Sequence, residues 1–450
     1  MKLVLTLLCT LPLLTFAQND YWQQEVNYSI NVELNDSAHT LTGDEDLIYH
    51  NNSPEALDTI IFHLWPNAYK SQETALAKQL FRINNPSYHL LENKQDQGFI
   101  DSLDFKVNEK TVKWFYDEKH KDICYLVLNE SLNSGESIHI STPFFVRIPN
   151  AAISRLGHVG ESYQITQWYP KPAVYDKNGW NQMPYINYGE FYSEFGTFDI
   201  NITLPYNYRV SATGDLVGPY AKKELAFRDS IYQITKKIKD FETDNLEFPK
   251  STQEKKTLHF YQKDVHDFAW FADKRYHILK GEIELPHSKR KVTSWAMFTN
   301  NEAPLWKKSI DYINQSTYDY SLWNGDYPYE HVSAVDGTIA AGGGMEYPNV
   351  TIIGESYSPV MLELVIAHEV GHNWFYGILG SNERNYAWMD EGINSYNEKR
   401  YIEKHHPKFH LLKSYFPHLG NHVAGKEIPS YGEGYFIQSL FMMRAGQDQA

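Results

Sequence analysis

The segment His368-Glu369-Val370-Gly371-His372 sets two imidazoles four residues apart and a carboxylate beside the first of them. On an α-helix, positions i and i+4 lie only about 40° apart around the axis, so both rings face one side. Two neutral imidazoles so placed can chelate one Zn²⁺, and the adjacent Glu369 can take a proton from an activated water. A helix that merely carries two surface histidines also satisfies the bare motif. A catalytic zinc, however, takes three protein ligands and keeps one position open. Glu391, separated from His372 by eighteen residues, falls in the next helical stretch, Tyr386 to Tyr401. A carboxylate from a neighbouring helix completes the set, so the candidates are His368, His372 and Glu391 as ligands of one Zn²⁺ per chain, with Glu369 as the base. Gly392, next to the third ligand, leaves room for close helix packing.

These side chains need helices to carry them and a scaffold to hold the helices. The spacing predicts a helix from Pro359 to Tyr376, with Ser358 as N-cap, Pro359 at the first helical position and Gly377 at the C-terminal end. Leu362, Val365 and Ile366 supply its apolar face, and Trp306 to Tyr320 also has helical spacing. Upstream the signal is β. Val26, Tyr28, Ile30, Val32 and Leu34 alternate with polar residues, Asn35-Asp36-Ser37 reads as a turn, and Phe198 to Leu204 repeats the alternation. Lys236 to Lys256 mixes both signs of charge and reads as a solvated loop or hairpin, followed by a β segment from Thr257 to Tyr261. The expected fold is α+β and multidomain. An N-terminal β-sandwich domain, 18–288, is followed by a mainly helical zinc-bearing domain, 289–450.

At 450 residues the chain is long enough for two or three domains. Its formal charge of −15 excludes a nucleic-acid partner, which demands a basic face. Residues 1–17 read as a signal peptide: Lys2, an apolar run from Leu3 to Phe16, and a small-residue cleavage site before Gln18. The mature chain has no apolar stretch of the ~20 residues needed to span a bilayer, so a periplasmic or secreted location is expected. Cleavage removes Cys9 and leaves Cys124, which sits in an apolar run and is expected to be buried. His158 and His331 lack ligand-spaced partners and read as ordinary polar residues. The Trp/Tyr-rich stretch from Gln167 to Tyr192 is expected to pack between the two halves.

Four further segments resemble the peptidase M1 family, the zinc aminopeptidases of the aminopeptidase N and leukotriene-hydrolase type. Trp388-Met389-Asp390-Glu391-Gly392 matches its W-x-x-E-G context around the third ligand, and Gly343-Gly344-Met345-Glu346-Tyr347 resembles its G-x-M-E-N exopeptidase motif. Tyr431-Gly432-Glu433-Gly434 resembles the segment bearing its catalytic tyrosine, and Thr166-Gln167-Trp168 lies where its β half reaches the substrate. The resemblance implies a thermolysin-like catalytic domain acting on a peptide substrate. Glu346 would bind the substrate's α-ammonium, and Gly343, Gly344 and Met345 would line it with backbone. Gln167 would contribute from the β half, and Tyr431 would donate to the oxyanion. Three departures stand out. Tyr347 replaces the Asn of the exopeptidase motif, and Tyr169 occupies the position of the family's second amine-binding Glu or Gln. The third is that family members usually continue with more helices, so a short member or a truncated copy is expected. Two alternatives stay open: a thermolysin-like zinc endopeptidase, and an inactive peptide-binding or scaffold relative.

Overall fold

The computed structural model describes residues 21–337 and 343–407. The first alternating run forms the strand Glu25–Asn35, with Val26, Tyr28, Ile30, Val32 and Leu34 all buried. Period-two alternation does this because successive side chains leave opposite faces of a strand. The turn after it is held by Asn35, whose Oδ1 accepts from the backbone N–H groups of Ser37 (3.2 Å) and Ala38 (3.1 Å). The chain returns as Thr40–His50, antiparallel, while Gly196–Pro205 pairs with the first strand in parallel from the other side. These three belong to a nine-stranded sheet, and two four-stranded sheets pack with it. One continuous core runs from Val26 to Trp374 and takes in Cys124.

The helix Ala221–Thr235 gives no apolar periodicity in the sequence, because its buried side chains are Glu224, Arg228 and Thr235. It docks by charge: Lys256 Nζ donates to Glu224 Oε2 at 2.8 Å with both groups buried. The charged stretch that follows is irregular up to the strand Lys255–Val265.

Behind the candidate site lies a five-stranded sheet in the spatial order His277–Glu284, Lys291–Phe298, His331–Asp336, Val350–Ile353, Gly344–Tyr347. Residue 288 falls in the turn joining the first two strands, so this sheet takes its edge strand from upstream of the expected boundary. Helices Ser309–Asn324 and Pro359–Gly371 pack beside it, and Ile393–His405 packs on those two helices. The Trp/Tyr-rich stretch bonds to the helical half: Arg384 Nε donates to Glu190 O (2.9 Å) and Glu383 N to Phe191 O (3.2 Å).

Two helix expectations need correction. The motif helix ends at Gly371 with His372 as its C-cap, not near Tyr376. Beyond it Asn373 N and Trp374 N bond to carbonyls three residues back, and the Asn373 side chain donates to Val370 O at 2.9 Å, which diverts the chain into tight turns. The second helical stretch is not continuous either. It breaks at Tyr386 (φ −134°, ψ 48°) and passes through a π turn, Trp388–Gly392, before Ile393–His405.

The two motif helices approach closely at Gly371, where a Cβ would overlap Asn394 Oδ1 and the Tyr320 ring. Gly371→Ala is therefore expected to destabilise by about 1–3 kcal/mol through overpacking. Thermal unfolding checks it: an unchanged midpoint would mean that the helices can separate without cost.

Candidate metal centre

Ser358 starts the motif helix as expected, its side chain accepting from Met361 N at 3.3 Å. At the far end of that helix, His368 and His372 turn their Nε2 atoms towards each other at 3.2 Å. Glu391 Oε2 lies 3.4 Å from His368 Nε2 and 3.8 Å from His372 Nε2. Bonds of about 2.0–2.2 Å to a tetrahedral zinc put neighbouring ligand atoms about 3.3–3.6 Å apart, so this triangle fits one Zn²⁺. The sequence-predicted ligands thus converge.

The π turn explains how. A π turn is one residue wider than an α turn and so shifts the angular positions of the residues that follow, and such turns recur at functional sites. Here it lets Glu391 face the Nε2 atoms while Asp390, its chain neighbour, reaches behind the ring: His372 Nδ1 donates to Asp390 Oδ1 at 2.6 Å. His368 Nδ1 similarly faces Glu398 Oε2 at 3.1 Å. With each Nδ1 proton so engaged, both Nε2 lone pairs are free to converge on a cation. Asn394 Nδ2 donates to His368 O at 2.8 Å and ties the two helices together. Asp390, Asn394 and Glu398 escaped the sequence reading. A signal existed for Glu398, which stands seven residues after Glu391 and hence two turns along the same face.

Glu369 is buried beside this triangle, and its Oε2 has no hydrogen-bond partner. Burial pushes its carboxyl up to about 8, against the pull of His368, and Glu346 adds to the rise. A divalent cation alongside would draw it down again. Gly344 packs directly on this carboxylate, where any Cβ would overlap Glu369 Oε1, so the glycine is required by close approach. Gly343 is less constrained, since its Cβ would meet only Val365 Cγ2 at 3.8 Å.

The strand Gly344–Tyr347 carries Glu346 to the same place: Glu346, Glu369 and His372 offer oxygen and nitrogen atoms within 4.8 Å of one another. Met345 is engaged elsewhere, its sulfur accepting from Arg155 Nε at 3.1 Å. Gln167 adopts a left-handed backbone (φ 48°) and accepts from Tyr347 OH at 3.2 Å, while its Nε2 is buried without a partner. Tyr169 is buried and donates to Asp267 Oδ1 at 2.9 Å. Tyr431 lies outside the described residues. His331 pairs with Asp215 at 2.9 Å and His158 stacks on His39, both away from the centre.

No family model matches the chain. Among curated proteins it is similar to Aminopeptidase Q of Acinonyx jubatus, 31% identical over 67 residues, which is 15% of this chain and 7% of that protein. It is also similar to Aminopeptidase Q of Mus musculus, 28% identical over 117 residues, 24% of this chain and 21% of that protein. The chain thus matches well under two thirds of the length of these relatives. Among solved structures it is similar to the M1 zinc metallopeptidase from Deinococcus radiodurans, with TM-score 0.55 and 14% identity over 85% of this chain and 71% of that one. A mutant of that protein bound to a Tyr-Ser-Ala substrate gives TM-score 0.53 and 13% identity over 85% and 72% of the two chains. Over that shared length the chain has the fold of the M1 zinc metallopeptidases, the family that its motifs resemble.

Proposed function

We propose that this chain is a zinc-dependent metallopeptidase that removes N-terminal residues from peptides, with a thermolysin-like catalytic half. The observation that carries the reading is the convergence of His368, His372 and Glu391 beside a buried, unpartnered Glu369 oxygen. His368, His372 and Glu391 would hold the Zn²⁺. When bound, it supplies Lewis acidity that makes water nucleophilic near neutral pH and polarises a carbonyl. Glu369 takes the proton of the attacking water on Oε2 and hands it to the leaving amine nitrogen. Asp390 and Glu398 hold the two imidazoles in one tautomer and one orientation. Glu346 binds the substrate's ammonium, and the backbone of Gly343 and Gly344 lies along the substrate. Export to the periplasm or exterior is part of the same proposal. No described helix is long and apolar enough to cross a membrane.

A zinc endopeptidase is the second reading, favoured by Tyr347 in place of the Asn of the exopeptidase motif and by Tyr169 at the position of the family's second amine-binding Glu or Gln. Cleavage of a peptide with a free N-terminus should exceed that of its N-acetylated form by about tenfold or more, since acetylation removes the charge that Glu346 would bind. Equal cleavage of both would replace the aminopeptidase by the endopeptidase. Cleavage of neither by protein carrying a full equivalent of zinc would favour an inactive relative.

A further inference from the structure

The two tyrosines that depart from the M1 motifs are already committed, Tyr169 to Asp267 and Tyr347 to Gln167. The structure gathers other carboxylates instead. Glu346, Glu383 and Asp390 offer oxygens within 4.8 Å of one another, from the strand Gly344–Tyr347, the short helix Glu383–Ala387 and the π turn. They are 4%, 2% and 0% exposed. Glu346 Oε1 and Asp390 Oδ2 have no hydrogen-bond partner, and Glu383 Oε2 accepts from Phe191 N at 3.3 Å.

The neighbouring cations are engaged elsewhere. Arg155 pairs with Glu190 at 2.9 Å and Lys171 with Asp267 at 3.2 Å, while Arg384 donates to backbone carbonyls of Glu190 and Pro184. Among the described residues, none forms an ion pair with Glu346 or Glu383. Three carboxylates at this spacing in a buried site cannot all stay ionised unless a cation lies among them. An ammonium brings one positive charge and three N–H donors, enough for one bond to each.

We propose that Glu383 and Asp390 complete, with Glu346, a three-carboxylate cradle for the substrate's terminal ammonium, Glu383 taking over the anchor that Tyr169 cannot supply. This rests on the aminopeptidase reading. The test is calorimetric binding of Leu-Gly-Gly and N-acetyl-Leu-Gly-Gly to zinc-loaded Glu369→Gln protein, which binds peptide without cutting it, with and without Glu383→Gln. The Glu369→Gln parent should prefer the free peptide by about tenfold or more, and Glu383→Gln should remove most of that preference while zinc content and acetyl-peptide binding stay within about twofold. Should Glu383→Gln not fold, Glu383→Asp, which keeps the charge but withdraws it, should cut the preference several-fold. A preference untouched in the folded variant overturns the cradle and leaves the aminopeptidase standing. No preference in the parent overturns both.

Discussion

Glu369→Gln should keep about one equivalent of zinc and lose peptide hydrolysis by about 10²–10⁴-fold. The amide matches the carboxylate in shape, so the packing of Gly344 on this side chain survives. What changes is Oε2, the buried oxygen without a partner, which becomes a group unable to accept a proton. Glu369 is not among the three converging ligands, so metal content should hold. Single-turnover hydrolysis measured with the zinc content of the same sample checks both halves. Turnover within tenfold of the parent would move the base to another residue.

Glu391→Ala should act at the step before. Losing a carboxylate that merely supports a metal-bound histidine costs about 10–100-fold in metal affinity, and a direct ligand should cost more. Zinc should therefore fall below about half an equivalent after gel filtration, with activity lost in parallel. Retention of a full equivalent would show that the two histidines hold the ion with another group. One alternative ligand is Glu346, which shares a cluster with Glu369 and His372.

The converging triad was legible because the i, i+4 spacing and the eighteen-residue gap are local facts of the chain with direct geometric meaning. The β half was legible where alternation was clean, as in Glu25–Asn35. What escaped depends on contacts between distant segments. Glu383 is an ordinary acid in sequence and gains meaning only when the chain brings it to Glu346 and Asp390. The π turn was equally hidden, since a helix that widens by one residue keeps a helical composition. The helix Ala221–Thr235 was missed because it docks through Glu224 and Arg228, not through an apolar stripe.

The hairpin that spans residue 288 bears on how this protein could be dissected. A chain begun at 289 would keep Lys291–Phe298 but lose His277–Glu284, its antiparallel neighbour. That would bare a row of backbone donors and acceptors along a largely buried strand, an invitation to intermolecular pairing. A catalytic fragment intended to stay monodisperse should start ahead of His277.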